Sequence, residues 1–254
     1  MMSRILNPPL WLTRLLFLAA FVYAWHLIAL TGWIDQIFIG DPVGIIKFLY
    51  EGLFQTHDLL IHIFWTMFST LVAFILGTVA GIGFGLLFVM YPRLEQFMDP
   101  ILSGLNALPR IALAPLFLLW FGLGVASKIA LGFSLTFFIV LANTIAGARA
   151  VSADHMVLAR TLGANGTQKF VEITLPGAVP TIFSGLRLGL IYALLGVIGG
   201  EIIAAQYGLG QQLAYLAGTF QINGVFAVLV ILAVLGTSLT WLMTAAEKRL
   251  LQWQ

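Results

Sequence analysis

The stretch FWTMFSTLVAFILGTVAGIGFGLLFV, residues 64–89, contains no Asp, Glu, Lys, Arg or His. A helix rises 1.5 Å per residue, so about 20 apolar residues cross the hydrocarbon core of a bilayer. This stretch is therefore long enough to span a membrane. Gly77, Gly81 and Gly85 recur at four-residue spacing and lie on one face of such a helix, where small residues let a second helix approach closely. We predict that this face packs against another helix, and Gly185 with Gly189 favours the same arrangement elsewhere.

The composition of the whole chain agrees with a membrane protein. Of its 254 residues 61% are hydrophobic and 9% are charged, against roughly 45–50% and about 25% in soluble domains. A soluble fold of this length could not bury so much apolar surface. The formal charge of +2 fits cytoplasmic Lys and Arg next to membrane spans, so it indicates no nucleic-acid partner.

Several kinds of site are excluded or not indicated by residue content. The chain has no cysteine, and its four histidines are scattered, so neither a thiolate site nor a metal cluster is predicted. No paired catalytic carboxylates and no Ser/His/Asp set stand out, which makes an intramembrane enzyme unfavoured. The sequence also lacks the G-x4-G-K-[ST] loop that cradles nucleotide phosphates. We expect no cofactor and no ATP hydrolysis by this chain itself.

Apolar runs predict an all-α membrane protein with six transmembrane helices. The first run lacks a clear cleavage site and reads as a retained signal-anchor. The third run is the weakest because Pro109, Arg110 and Pro115 interrupt it. The six predicted spans are Leu12–Leu30, Phe64–Val89, Leu105–Phe121, Ile129–Ala146, Ile182–Ile203 and Val225–Ala245.

The distribution of Lys and Arg predicts the orientation of these spans, because cytoplasmic connections carry an excess of both. Placing both termini in the cytoplasm puts eight of these residues inside and only Lys47 and Lys128 outside. Arg110 and Arg187 would then lie near the cytoplasmic ends of spans three and five, where they can snorkel to headgroups. The eight inner residues are Arg4, Arg14, Arg93, Arg149, Arg160, Lys169, Lys248 and Arg249.

The first external connection, Thr31–Ile63, predicts a helix at the outer membrane interface. Asp41 is a suitable N-cap, and Pro42 suits the first helical position. Apolar residues follow with polar residues between them, as in an amphipathic helix. The sequence thus predicts an N-terminal part, residues 1–63, with one span and this interfacial helix. Residues 64–250 would form a core of five spans.

The longest cytoplasmic connection lies between spans four and five and predicts a bent pair of short helices, residues 154–176. Asp154 is expected to cap the first helix, and Gly163 to end it in the left-handed conformation. Asn165 and Gln168 have the spacing of a capping box for the second helix, which Pro176 is expected to end. A compact bent element of this kind suits a groove on another protein.

This segment resembles the "EAA" signature, E-A-A-x3-G-x9-I-x-L-P, of permease subunits of binding-protein-dependent ABC importers. Gly163 is followed after nine residues by Ile173-Thr-Leu-Pro176, and Ala159 keeps the second alanine, whereas Val157 stands where the glutamate would be. The runs Pro115–Lys128, Pro180–Gly189 and Glu201–Gly210 look like the nitrate, taurine and aliphatic-sulfonate subgroup. The resemblance covers roughly residues 40–250.

The resemblance implies a type I ABC importer permease fold and a set of partners. It implies a dimer with a second permease subunit, expected to be identical, together with two ATP-binding cassette subunits that hydrolyse ATP and an external binding protein that delivers solute. The location would be the bacterial cytoplasmic membrane. The coupling contact with the ATPase would include Ala159, Arg160, Gly163 and Ala164, with Leu175 and Pro176 anchoring the return into the membrane.

Four polar residues are candidates for the translocation path or a gate. Arg110 would favour an anion in an inner vestibule, or it snorkels to headgroups. Asn143 and Tyr192 would hydrate a path, or they hold helices together. Glu201 would line an outer gate, or it pairs with a donor on a neighbouring helix.

The function predicted is therefore the membrane-spanning subunit of an ATP-driven importer for a small, anionic solute of the nitrate, sulfonate or taurine type. Related permeases also carry pyrimidine vitamin precursors. The alternative is a secondary transporter driven by an ion gradient, which the scarcity of intramembrane acids and the lack of visible inverted repeats disfavour. A membrane enzyme or scaffold has no supporting residues.

Overall fold

The computed structural model describes residues 9–251, which are helical and contain no strand. Arg4, counted above in the charge balance, lies outside the described residues. The helices are α1 (Leu10–Thr31), α2 (Gln36–Ile39), α3 (Pro42–Tyr50), α4 (Asp58–Met90), α5 (Pro92–Ala107), α6 (Ala114–Phe121), α7 (Val125–Arg149), α8 (Ala153–Thr161), α9 (Gly166–Lys169), α10 (Leu175–Ile203), α11 (Leu209–Gly218) and α12 (Ile222–Leu250). The all-α prediction is confirmed.

Within residues 9–251, five helical runs are long and apolar enough to cross a membrane: α1, α4, α7, the run Gly166–Ile203, and α12. The third predicted span, Leu105–Phe121, is not one helix, because α5 and the run Arg110–Phe121 meet at an 85° bend. Leu108 at the bend is extended, with φ −69° and ψ 135°. The following proline causes this, since its ring disfavours the α conformation in the residue before it. Six spans result when the bent pair counts as one.

The described residues fall into two compact units, and the first consists of residues 9–60 with Leu213–Ile231. The predicted helix start at Asp41 is confirmed, since its carboxylate accepts the Gly44 N–H at 3.1 Å and Pro42 follows. Asp41 also contacts His26 Nδ1 at 2.8 Å, and its own N–H donates to Asn223 at 2.7 Å. Burial acts to raise the pKa of Asp41, but the hydrogen bonds from His26 and from backbone N–H groups outweigh it and lower that pKa.

The second unit, residues 61–212 with 232–251, contains the glycine face predicted on α4. This face packs against α7. A Cβ on Gly77 would lie 2.7 Å from Thr136 Cβ, and a Cβ on Gly85 would lie 2.7 Å from Thr144 Cβ. Gly81 between them faces Val140. The predicted packing role of the three glycines is confirmed, because no side chain larger than hydrogen fits at these contacts.

Helix α10 packs closely on α7 through small residues of its own. A Cβ on Gly185 would lie 2.5 Å from Asn143 Cβ, and a Cβ on Gly189 would lie 3.0 Å from a Val140 methyl group. Thr136 bridges the two helices, because its hydroxyl lies 2.9 Å from the carbonyl of Gly132 on α7 and 3.1 Å from that of Gly189 on α10. Helices α4, α7 and α10 thus form a tightly packed layer.

Gly81→Val is expected to weaken this packing, and Gly83→Val in the same helix is the matched control. A Cβ on Gly81 would lie 2.9 Å from Val140 Cβ and 3.0 Å from the Phe137 carbonyl oxygen, whereas a Cβ on Gly83 meets no atom within 4 Å. Overpacking of this kind destabilises by about 1–3 kcal/mol. Thermal unfolding of the detergent-purified chain should show a lower midpoint for Gly81→Val only; equal midpoints for the two variants would contradict the packing.

Candidate functional site

The segment between α7 and α10 begins with the short helix α8. Its N-cap is Ser152, whose hydroxyl accepts a hydrogen bond from the Asp154 N–H at 3.2 Å. The prediction that Asp154 caps this helix was wrong, because the hydroxyl two residues earlier already takes the cap position. Asp154 lies instead in the first turn, where its negative charge faces the positive end of the helix dipole.

The end of α8 is a tight left-handed turn at Gly163, as predicted. Gly163 has φ +78°. Its N–H donates to the Arg160 carbonyl at 3.0 Å, and the Ala164 N–H donates to the Ala159 carbonyl at 2.9 Å. These two bonds are the Schellman arrangement, which satisfies carbonyls at the helix end. The chain therefore reverses direction without leaving these backbone groups unpaired.

The second short helix starts with the predicted capping box, in which Asn165 and Gln168 exchange side-chain and backbone hydrogen bonds of 2.8 and 2.9 Å. The prediction that Pro176 ends this helix was wrong. Helix α9, a π turn at Phe170–Thr174, and α10 form one helical run, with Pro176 in the first turn of α10. Proline disturbs the preceding turn of a helix, and the wider π turn lies where that disturbance falls.

Helix α8 presents apolar side chains at its surface. Val157, Leu158 and Leu162 are exposed over 59%, 57% and 77% of their surfaces. These three residues are not among those predicted to form the coupling contact, although their apolar side chains lie close together in the sequence. Exposed apolar residues that lie together typically mark a contact with a protein or a membrane.

Four of the six residues assigned to the coupling contact, Ala159, Gly163, Ala164 and Pro176, line a groove of about 760 Å³, which α8 forms with the chain from Gly163 to Gly177. Arg160 and Leu175 are not among the residues that line it. Ala159 lines the groove but is only 5% exposed, so its own chain already covers most of it. The other assigned residues differ in exposure. Arg160, Gly163 and Pro176 are exposed, and Ala164 and Leu175 are half-buried.

Arg110 lies in the turn that follows the 85° bend. Its guanidinium group donates to the Ser134 carbonyl at 3.1 Å and to the side-chain oxygen of Asn106, and it lies 4.0 Å from the ring centre of Phe138. Since Ser134 and Phe138 are near the middle of α7, the predicted location at the cytoplasmic end of a span was wrong. Only 9% of Arg110 is exposed, so it does not snorkel outward.

A hollow of about 410 Å³ adjoins Arg110. It is lined by Asn106, Leu135, Ile139 and Tyr192 together with the bend itself. Tyr192, which is 39% exposed, also lines this hollow. Two of the four predicted path residues, Arg110 and Tyr192, therefore lie at the same hollow.

Asn143 has a different environment. Its amide donates to the Ile139 carbonyl at 2.8 Å, and its Cβ lies against Gly185 on α10. This is the environment of a residue that holds two helices together, which was the alternative considered for it.

Glu201 is buried, with 1% of its surface exposed, and is fully engaged. The Thr66 hydroxyl lies 2.9 and 3.0 Å from its two carboxylate oxygens, and the Gly210 N–H donates to it at 2.9 Å. Lys128 Nζ is 3.7 Å from the carboxylate and donates to the Tyr207 carbonyl at 2.5 Å. Glu201 therefore has the paired environment that was considered as the alternative to a gate.

Glu201 and Lys128 also fix the turn between α10 and α11. Gly208 has φ +130°, and a Cβ on it would overlap the Glu201 carboxylate. The Leu209 N–H donates to the Thr66 hydroxyl at 2.8 Å. Lys128 was predicted to lie in an external connection, whereas it is only 2% exposed. The count of charged residues in each connection could not predict that Lys128 pairs with Glu201, because the two residues are 73 positions apart.

The chain matches known transport proteins. Residues 73–252 match the family described as "Binding-protein-dependent transport system inner membrane component". A putative aliphatic sulfonates transport permease of Bacillus subtilis is 32% identical, with 96% of this chain and 88% of that protein covered. A formylaminopyrimidine transport permease of Halalkalibacterium halodurans is 33% identical, with 85% and 88% covered.

The fold agrees with this assignment. A chain of the inward-facing MetNI methionine ABC transporter superposes with a TM-score of 0.66 at 20% identity, covering 78% of this chain and 96% of that one. Together with the family match and with relatives aligned over most of both chains, the fold leads to one conclusion. This multi-pass chain belongs to the inner membrane components of binding-protein-dependent transport systems, the permease subunits of ABC importers.

Proposed function

We propose that this permease subunit forms the translocation path for a small anionic solute of the sulfonate, taurine or nitrate type. An external binding protein delivers the solute. The observation that carries the coupling part of the proposal is the exposed apolar surface of α8, held at a fixed angle by the turn at Gly163. The proposed substrate class is supported by the sulfonate permease of Bacillus subtilis.

The residues 154–176 are proposed to dock into a groove on an ATP-hydrolysing subunit. Val157, Leu158 and Leu162 would supply apolar contacts there, and Arg160 would supply a positive charge beside them. Gly163 and Ala164 set the angle of α8, while Leu175 and Pro176 connect the docking segment to α10. Ala159 supports α8 from inside rather than touching the partner with most of its surface.

The proposed assembly contains two copies of this permease, two ATP-binding cassette subunits and one external binding protein. A single copy supplies one docking segment and one half of a central path, which supports a dimer. ATP hydrolysis is assigned to the separate subunit. The absence of a G-x4-G-K-[ST] loop from this sequence agrees with that division of labour.

The proposed orientation places both termini and α8 in the cytoplasm of a bacterial cell. It rests on the excess of Lys and Arg, eight against two, in the connections assigned to that side. Lys128 is buried beside Glu201, so Lys47 is the exposed one of the two outer cations. The proposed domain division has residues 1–63 as an N-terminal part and 64–250 as the permease core.

In the proposed mechanism, ATP binding by the partner draws the two docking segments together, and the spans rock to open the central path outward. The solute then enters from the binding protein, and ATP hydrolysis returns the path to the cytoplasm. The relatives give no support to a secondary transporter driven by an ion gradient.

Uptake by the reconstituted complex tests this function. The permease, its ATP-binding subunit and its binding protein are placed in proteoliposomes with labelled ethanesulfonate as the probe. We expect uptake that requires ATP and the binding protein. Uptake by the permease alone under a proton or sodium gradient would contradict the proposal. The orientation is checked with Arg160→Cys, which should react with an impermeant thiol reagent only from the cytoplasmic side.

A further inference from the structure

Two cations are buried among the described residues, Arg110 and Lys128, and Arg110 is the one of the two that has no carboxylate partner. Lys128 pairs with Glu201 at 3.7 Å, Arg149 with Glu95 at 2.6 Å, and Arg187 with Glu247. Within residues 9–251 no acidic side chain forms an ion pair with Arg110; its hydrogen-bond acceptors are a backbone carbonyl and an amide oxygen. Its positive charge is therefore not neutralised by the described chain.

An uncompensated charge at this burial is expensive, and in a membrane protein it usually marks a functional site. Arginine has five N–H donors in a rigid planar fork. Two of them have acceptors among the described residues, namely Ser134 and Asn106. The ring of Phe138 covers one face of the fork and provides a cation–π contact. The remaining donors are the unused binding capacity of the group.

The hollow beside Arg110 offers room for a ligand that uses this capacity. Its volume of about 410 Å³ is large compared with the roughly 30 Å³ that one water occupies in the liquid. Leu135 and Ile139 provide an apolar wall, and Tyr192 and Asn106 provide polar groups. No acidic residue is among the described residues that line it. A guanidinium fork beside an apolar wall matches an oxyanion group attached to a short hydrocarbon.

We propose that Arg110 is an anion-binding residue that holds the oxyanion group of the solute, a sulfonate, carboxylate or nitrate, within this hollow. The statement that the bound anion is the transported solute rests on the proposed function. The anion-binding site itself does not depend on that function. The site gives the permease its own selectivity, so that a neutral heterocycle of the kind carried by the formylaminopyrimidine relative gains nothing from Arg110.

The site is tested with thiol reagents of opposite charge, since the chain has no native cysteine. Tyr192→Cys places a single thiol in the hollow. The full-length permease in membranes is treated with sulfonatoethyl or trimethylammonioethyl methanethiosulfonate, and each rate is divided by that for a free thiol in solution. We expect the anionic reagent to react about tenfold faster. Ethanesulfonate should slow the labelling, and choline should not.

Three variants in the Tyr192→Cys background assign this preference to Arg110. Arg110→Gln should abolish it, and Arg110→Lys should keep most of it. Arg187→Gln is the matched control on α10, because Glu247 already neutralises Arg187; the preference should stay within about twofold. A preference that survives Arg110→Gln, equal rates for the two reagents, or a thiol that neither reagent reaches would each overturn the proposal.

The protection by ethanesulfonate needs no Arg110 variant, so the test does not depend on Arg110→Gln folding. The thiol rates also need no ATPase and no binding protein. If uptake fails while the anionic preference is present, the proposed function fails and the anion site stands. If uptake proceeds and Arg110→Gln transports ethanesulfonate at the normal rate, the site is wrong and the function stands.

Discussion

Lys128→Met is expected to lower the free energy of unfolding by about 3–5 kcal/mol, the range for removing one partner of a buried ion pair. The substitution leaves the Glu201 carboxylate, which is 1% exposed, without its cation. It also removes the donor to the Tyr207 carbonyl. The turn that joins α10 to α11 then keeps its contact with Glu201 but loses its contact with Lys128. The Glu201 carboxylate is left buried with an uncompensated charge.

Titration of the purified chain with sodium dodecyl sulfate in mixed micelles measures this loss. Two variants serve as controls. Lys128→Met combined with Glu201→Gln removes both charges and should recover a large part of the lost stability, since the penalty comes mainly from the unpaired carboxylate. Lys47→Met removes the cation of an exposed pair with Glu51, at 3.8 Å, and should change the stability by less than about 1 kcal/mol. Equal losses for Lys128→Met and Lys47→Met would contradict the interpretation.

Gly163→Val is expected to abolish transport while leaving the membrane core folded. The left-handed conformation disfavours a side chain by roughly 1–2 kcal/mol, and a β-branched one is a still stronger outlier. A Cβ on Gly163 meets no atom within 4 Å, so conformational strain alone accounts for the effect. Relieving the strain breaks the two Schellman hydrogen bonds and tilts α8, which removes its apolar surface from the partner.

The measurement is co-purification of the ATP-binding subunit with each variant, together with ATP-driven uptake. Gly166→Val is the matched control, because Gly166 also has open space around it but no positive φ. Gly163→Asn should be milder than valine, since asparagine tolerates the left-handed conformation, and Thr167→Ala should be nearly neutral. If Gly163→Val binds the ATPase and transports at the normal rate, the coupling role proposed for residues 154–176 is wrong.

Local patterns predicted much of the fold. Apolar runs located five spans, and four-residue spacing located the glycine face of α4. The cap at Asp41, the left-handed Gly163 and the Asn165–Gln168 box all depend on residues within a few positions of each other. In these cases the physical cause is local, and the sequence therefore contains it directly.

The errors arose where the outcome depends on competing or distant partners. The cap of α8 went to Ser152 because two suitable residues lie two positions apart. The bend at Leu108 had a local signal in the following proline, but hydropathy averaging along a span conceals it. The positions of Arg110 and Lys128 required knowledge of which helices meet. The order of residues along the chain does not indicate that Arg110 meets the Ser134 carbonyl or that Lys128 meets the Glu201 carboxylate.

The unbroken helical run from Gly166 to Ile203 has a mechanical consequence. At 1.5 Å per residue its 38 residues make a rod about 57 Å long. It starts just after the turn at Gly163 and includes Tyr192 beside the hollow. Because no loop interrupts this helical run, it has no flexible segment that would absorb a displacement of its N-terminal end at Gly166. If residues 154–176 dock as proposed, a displacement of α8 would be transmitted along this helical run towards Tyr192, and Gly163 would be the bend at which the two elements join.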